Sequence, residues 1–334
     1  MKPRIFVTRR IAQAGLDLLT PHCEVEVWPG EEPPSREELR ARVPGCHGLL
    51  TLLSDRVDEE LLAVAGPQLR VVSNHAAGVD NIDVAAATRR GILVTNTPDV
   101  LTETTADLAF ALICATSRRL VEGVDWVRAG RWKTWSPLFL LGQDLFGATL
   151  GLVGLGRIGR AVARRAQGFA MRVLWYDPSI PAGSVPAGLH RCDTLDELLR
   201  AADVVSLHVP LTPATRGLFD VAALRAMKPT AVLINTCRGQ VVDTAALVQA
   251  LQEGWIAGAG LDVTDPEPLP ADHPLVSEPR CIVLPHIGSA STATRGRMAE
   301  LAAADLLAGL RGEPPRHPVN PEVLAGRAAA GAGC

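Results

Sequence analysis

Three polar residues stand just past apolar runs in the second half of the chain, and their types define a chemistry. Arg238 follows Leu233-Ile234-Asn235-Thr236-Cys237, Glu267 lies in Asp265-Pro266-Glu267-Pro268 beyond the run 258–262, and His286 follows Ile282-Val283-Leu284-Pro285. Taken singly, each has an ordinary explanation: a surface ion pair, a solvated loop acid, a capped loop histidine. Together they are a set that can work on a carbonyl. A guanidinium holds a carboxylate and polarises the carbonyl, and an imidazolium supplies a proton. A carboxylate orients that imidazole and favours its charged form.

Such residues cooperate only if the fold brings the ends of several strands to one edge. The stretch Thr149-Leu150-Gly151-Leu152-Val153-Gly154-Leu155-Gly156-Arg157-Ile158-Gly159-Arg160 supplies the organising element. An apolar run sized for one buried strand ends in G-x-G-x-x-G, and Ile158, Val162 and Ala166 continue at helical spacing. This is the order of a dinucleotide site, with Gly154 for the tight turn, Gly156 for backbone approach to a pyrophosphate, and Gly159 for close helix–strand packing. Leu155, Arg157 and Ile158 complete the turn and the helix start, where free N–H groups and the dipole favour phosphate. The next apolar run, 172–176, ends in Asp177, 21 residues after Gly156. A carboxylate at about that spacing holds the adenine ribose through its hydroxyls.

The strands of this half are expected at 149–153, 172–176, 204–208, 231–235, 258–262 and 281–284, with helices at 158–168, 194–201, 221–227 and 244–253. Six strands with intervening helices match a complete doubly wound dinucleotide domain. The first part alternates in the same way, with strands at 5–8, 23–28, 48–53, 69–74 and 92–96 and helices at 11–19, 35–43, 58–65 and 83–90. Ser35 with Glu38 is a capping-box pair. One long helix is expected over 102–128, then an apolar arm containing Trp132 and Trp135, and a last helix over 290–310. The fold class is therefore α/β, two doubly wound parallel-sheet domains. The boundary is expected near 98–102, with the last helix returning to the first domain.

Composition narrows the classes. At 334 residues, 47% hydrophobic and 21% charged, with a net charge of −3, the chain reads as an ordinary globular protein without a nucleic-acid or membrane surface. No apolar run approaches the ~18 residues of a membrane span. The chain opens directly on a strand, so no signal peptide is expected. Seven cysteines without a C-x-x-C pair read as reduced thiols of a cytoplasmic protein, with no metal site. The Ala/Gly-rich tail 323–334 is expected to be disordered.

Several separated stretches together resemble the D-isomer-specific 2-hydroxyacid dehydrogenases, and within them most closely the glyoxylate reductase/hydroxypyruvate reductase branch, over residues 4–320. They are Thr8-Arg9-Arg10-Ile11, the glycine turn, Asn235-Thr236-Cys237-Arg238-Gly239, Ala259-Gly260-Leu261-Asp262-Val263 and Pro266-Glu267-Pro268-Leu269-Pro270. Leu284-Pro285-His286-Ile287-Gly288-Ser289-Ala290 and Leu306-Leu307-Ala308-Gly309-Leu310-Arg311-Gly312-Glu313-Pro314 extend the match. The resemblance implies a Rossmann cofactor domain, 101–288 with a dimerisation arm at about 120–147, inserted into a flavodoxin-like substrate domain, 1–100 plus 289–322.

It also implies roles. His286 would be the acid–base residue, Glu267 its partner, and Arg238 the carboxylate and carbonyl binder. The backbone of Ala77, Gly78 and Val79 would receive the substrate, with Leu53 and Ser289 beside it. Asp262 would hold the nicotinamide amide; Thr236, Cys237, His208, Pro210, His286 and Gly288 would touch the cofactor. Trp135 sits where branch members pass a tryptophan into the partner's active site, which implies a homodimer.

Departures refine these expectations. NADPH-preferring members commonly carry Arg or Ser after the second cofactor strand, whereas this chain has Asp177-Pro178-Ser179-Ile180. NAD(H) is therefore expected over NADP(H), which stays the alternative. Phosphite dehydrogenases carry Lys where this chain has Ala77, formate dehydrogenases carry Gln–His in place of Glu–His, and phosphoglycerate dehydrogenases often append a C-terminal domain. The expected reaction is reduction of glyoxylate to glycolate and of hydroxypyruvate to D-glycerate. The alternatives are a D-lactate, D-3-phosphoglycerate or phosphite dehydrogenase, or a nucleotide-sensing corepressor-like protein.

Overall fold

Short apolar strands and capped helices alternate along the chain and fold into two compact units, Met1–Leu101 with the chain from Ala290 onward, and Thr102–Ser289. The computed structural model describes residues 1–181 and 188–331, with the side chains of 327–331 left aside.

The first unit runs β1 (Arg4–Val7), α1 (Gln13–Leu19), β2 (Glu24–Val27), α2 (Arg36–Arg42), β3 (Gly48–Thr51), α3 (Glu59–Ala65), β4 (Val71–Asn74), α4 (Val84–Arg89) and β5 (Leu93–Thr95). The second continues with α5 (Thr102–Ser117), α6 (Leu120–Arg128), β6 (Thr149–Val153), α7 (Arg157–Gln167), β7 (Arg172–Tyr176), β8 (Leu189–Arg191), α8 (Leu195–Ala201), β9 (Val204–Leu207), α9 (Val221–Ala226), β10 (Val232–Asn235), α10 (Thr244–Gln252), β11 (Gly258–Leu261), α11 (Pro274–Ser277) and β12 (Cys281–Val283). The chain then re-enters the first unit as α12 (Thr292–Arg311) and α13 (Glu322–Gly331).

Both sheets are wholly parallel, so their strands are buried on both faces and read as apolar runs. The first has the order β2-β1-β3-β4-β5, that of flavodoxin-like folds. One face packs on α1 and α12 through Leu16, Leu19, Ala299 and Leu306, the other on α2–α4 through Leu39, Leu61, Leu62 and Ala86. The second has the order β12-β11-β10-β9-β6-β7-β8, in which chain order reverses between β6 and β9. Such a reversal opens the crevice where doubly wound sheets take their ligands. The two-sheet architecture is the one expected.

Local chemistry explains the ends of the helices. Ser35 and Glu38 form the capping box expected for α2, while Asp58, Asp83, Thr194, Asp220, Asp243 and Ser291 accept backbone N–H groups at six further starts.

Three expectations are corrected. The helix expected over 102–128 is two helices, because Arg119 turns left-handed at φ 52° and its guanidinium bonds Glu122 and the Leu141 carbonyl instead. The second unit holds a seventh strand, β8, an edge strand whose short Leu-His-Arg sequence has no apolar run. The tail expected to be disordered over 323–334 forms α13 through Gly331: alanine is the best helix former, and Val323 is buried against the α12 face. Residues 332–334 of that tail lie outside the described residues.

Candidate active site

The glycine turn after β6 is built by close contacts. Gly154 sits at φ 93°, and a Cβ there would lie 2.5 Å from the His208 carbonyl oxygen. A Cβ at Gly159 would lie 2.4 Å from the Gly154 carbonyl, so α7 can approach β6 only with glycine there. Gly156 caps α7 with no side-chain hydrogen bond, and a Cβ on it would meet no atom within 4 Å. Arg157 and Ile158 form the first turn of α7. A helix start of this kind directs backbone N–H groups and the positive end of its dipole toward a phosphate.

Asp177, at the end of β7, is tied to this turn. One carboxylate oxygen accepts the Leu155 N–H at 3.0 Å, and the other accepts the Ser179 N–H at 3.0 Å and hydroxyl at 2.6 Å. Burial pushes its carboxyl up, but the Ser179 and Leu155 bonds and the Arg160 charge outweigh that and hold it below the usual carboxylate range. After β9, His208 bonds the Ser206 hydroxyl at 2.9 Å, and burial lowers its imidazole to about 4, so it is neutral at neutral pH. Pro210 stands exposed two residues further on.

After β10 the chain makes the turn that carries Arg238. Asn235, buried at the strand end, accepts the Cys237 N–H at 3.0 Å and donates to the Arg238 carbonyl at 2.8 Å. Arg238 donates from Nη1 to the Cys237 carbonyl at 2.7 Å. The Cys237 thiol is pushed up to about 11 by burial and stays protonated at neutral pH. Gly239 is pressed so tightly on the Thr264–Asp265 backbone that a Cβ would lie 1.9 Å from the Thr264 oxygen. The Arg238 turn and the loop leading to Glu267 are thus packed directly together.

His286 and Glu267 meet, with Nδ1 of the imidazole 2.6 Å from Oε1 of the carboxylate. Their side chains are 25% and 33% exposed, so the pair is shielded yet reachable. His286 is left-handed at φ 54°. Asp262, buried at the end of β11, holds that backbone: its two oxygens accept the Ile287 and Gly288 N–H groups, each at 2.7 Å, and its carbonyl accepts the His286 N–H at 3.0 Å. Burial pushes the Asp262 carboxyl up, against the pull of those N–H groups.

Gly154, Asp177, His208, Thr236, Asp262 and His286 therefore all stand at the carboxyl edge of the second sheet. Trp135 is left 79% exposed on the arm after α6, and Ser289 is half-buried. In the first unit, Leu53 follows β3 and is 42% exposed, and Ala77, Gly78 and Val79 follow β4. Asn235 was not singled out from sequence, although its place, a polar residue closing an apolar strand, is a usable signal.

The residues fit a dinucleotide. The uncapped start of α7, the open side of Gly156 and the carboxylate beside the turn match the phosphate and ribose of such a group. At the other end of the edge, the Thr236 hydroxyl is buried without a hydrogen-bond partner among the described residues. A polar group bound at this edge would satisfy that hydroxyl.

A seven-stranded doubly wound sheet with this edge is that of a dinucleotide-binding domain. Comparison with known proteins agrees: the model of the D-isomer specific 2-hydroxyacid dehydrogenase, NAD binding domain, matches residues 110–288. The chain is 53% identical to a glyoxylate reductase of Korarchaeum cryptofilum over 97% of its length and 98% of that protein's. A Thermus thermophilus protein of known structure has a TM-score of 0.88 at 51% identity, covering 95% of this chain and 99% of that one. An NADPH-dependent glyoxylate/hydroxypyruvate reductase from Sinorhizobium meliloti, solved with NADP and malonate, has a TM-score of 0.82 at 37% identity, covering 96% and 97%. The chain belongs to the D-isomer-specific 2-hydroxyacid dehydrogenases.

Proposed function

We propose that this chain reduces small 2-keto acids, glyoxylate to glycolate and hydroxypyruvate to D-glycerate. The carrying observation is the contact between His286 Nδ1 and Glu267 Oε1 at 2.6 Å, in a chain about half identical to glyoxylate reductases. When bound, the reduced nicotinamide supplies a hydride for the carbonyl carbon.

The residues do the rest. Glu267 holds Nδ1 of His286, fixing the ring so that Nε2 delivers its proton to the carbonyl oxygen as the alcohol forms. Nε2 then regains a proton from water. Arg238 binds the carboxylate and polarises the carbonyl, and the N–H groups of Ala77, Gly78 and Val79 receive the carboxylate. Leu53 and Ser289 bound the substrate. Asp262 keeps lone pairs beyond its two backbone bonds for the nicotinamide amide. Thr236 and Cys237 contact the cofactor, as do His208, Pro210, His286 and Gly288.

NAD(H) is the preferred cofactor. The ionised Asp177 suits a ribose diol and repels a 2′-phosphate. A homodimer is supported by α6, which buries none of its residues, and by exposed Val127, Trp132, Trp135, Leu138, Leu141 and Phe146. In the dimer, Trp135 reaches the partner's site. A cytoplasmic location fits the six free cysteines among the described residues. None of the described helices is long and apolar enough to cross a membrane.

The test is a substrate panel at fixed NADH. Higher kcat/KM for glyoxylate and hydroxypyruvate than for pyruvate supports the reading. Preference for pyruvate, or tight NADH binding without turnover of any keto acid, overturns it.

A further inference from the structure

Three consecutive peptides after β4 have their carbonyl oxygens held by fixed donors. The Thr97 N–H donates to the Ala76 oxygen at 2.8 Å, Asn96 Nδ2 to the Ala77 oxygen at 2.6 Å, and Asn74 Nδ2 to the Gly78 oxygen at 2.9 Å. In a planar trans peptide the C=O and the N–H of the next residue point in opposite directions. Holding those three oxygens therefore fixes where the N–H groups of Ala77, Gly78 and Val79 point. Among the described residues, none of these three N–H groups donates to a protein acceptor. Successive backbone N–H groups left without internal acceptors bind anions.

The donors that do the holding are themselves held. Asn74, buried at the end of β4, accepts from the Thr51 hydroxyl at 3.0 Å and donates to Asn81 Oδ1 at 2.9 Å. Asn81 Nδ2 donates in turn to the Leu52 and Asp55 carbonyls at 3.0 and 2.9 Å. Asp55 completes the frame by accepting the Leu52 N–H at 2.7 Å and the Thr8 hydroxyl. The loop that carries Leu53 and the segment 77–79 thus share one hydrogen-bonded frame.

We infer that Asn74 and Asn96 are positioning residues for the substrate carboxylate: Asn96 aims the Gly78 N–H, and Asn74 aims the Val79 N–H, each by holding the carbonyl on the far side of the same peptide. This rests on the reading that 77–79 receives that carboxylate. Neither asparagine touches the substrate. Their effect is on its affinity.

The experiment compares wild type with Asn96→Leu and Asn96→Ser, both uncharged, using glyoxylate and glyoxal, a two-carbon aldehyde without a carboxylate. Wild type should turn over glyoxylate far better than glyoxal. In each variant the KM for glyoxylate should rise about tenfold, as for one lost aligned hydrogen bond, while the KM for NADH and the kcat/KM for glyoxal hold. If the larger leucine prevents folding, Asn96→Ser carries the test. An unchanged KM for glyoxylate, or equal losses on both aldehydes, overturns the inference. A wild type that does not discriminate between the two overturns the carboxylate site itself, and the inference with it.

Discussion

Replacing Asp177 by alanine tests the cofactor reading through numbers that the structure supplies. The carboxylate already accepts three hydrogen bonds, from the Leu155 N–H, the Ser179 N–H and the Ser179 hydroxyl. A carboxylate offers about four acceptor sites, so room remains for a ribose hydroxyl. Losing one charge-assisted bond of ~1.5–3 kcal/mol should lower kcat/KM for NADH by about 10- to 150-fold. The opposite holds for NADPH. A 2′-phosphate of nearly two negative charges at ~4 Å from a carboxylate is repelled by about 2 kcal/mol even at the dielectric of water. Removing Asp177 relieves that repulsion, so the NADH/NADPH preference should move by about 400- to 5,000-fold in total. The alanine leaves the Leu155 and Ser179 N–H groups to water at a half-buried position, a cost of about 1 kcal/mol that folding should tolerate. The assay is initial-rate kinetics with each cofactor at saturating glyoxylate, repeated at higher salt, where the NADPH gain should shrink. A preference ratio that stays within about threefold of wild type would refute the reasoning.

Two further outcomes follow from buried groups. His75 is buried and lowered by burial to about 4, against an ordinary value of 6.5. Below pH 6.5 the unfolded chain takes up a proton that the folded chain refuses, so stability falls as pH drops from about 6.5 to about 4, by up to ~1.4 kcal/mol per pH unit. Thermal unfolding across that window should be steep for wild type and flatter for His75→Gln; equal slopes would contradict the assignment. Asp262→Ala leaves the Ile287 and Gly288 N–H groups without their acceptor, so urea unfolding should register a loss of about 2–4 kcal/mol, with kcat falling because the His286 backbone is released. Wild-type kcat in that variant would remove Asp262 from its place behind His286.

Much of this was legible because parallel sheets concentrate apolar residues in short runs. Among the described residues such runs marked eleven of the twelve strands, and polar residues just past several runs of the second unit, Asp177, Arg238 and His286 among them, pointed to the ligand edge. Where that signal is missing, the sequence misleads. β8 offers Leu-His-Arg, a single apolar residue at an edge. The break between α5 and α6 carries no glycine or proline, since Arg119 adopts φ 52° and is held by side-chain bonds that form only in the folded chain. The low-complexity tail looked disordered by composition, yet alanine favours helix and Val323 finds a core to enter. His286 and Glu267 lie 19 positions apart, and their pairing rests on the chemistry that requires it and on the family resemblance, since spacing alone carries no sign of it. Asn74 and Asn96 went unnoticed because the bonds that give them a role run to the Gly78 and Ala77 carbonyls, and a backbone partner leaves no trace in residue type.

The central claim is that His286, oriented by Glu267, protonates a 2-keto acid while a nicotinamide hydride reduces it. The most direct measurement is single-turnover NADH oxidation with glyoxylate for wild type and His286→Ala, alongside NADH affinity by fluorescence titration. General acid catalysis of this kind contributes about 10²- to 10⁴-fold, so the variant should lose that much in rate with NADH affinity nearly intact. A variant that oxidises NADH at the wild-type rate, or a wild type that binds NADH and never turns glyoxylate over, would contradict the account.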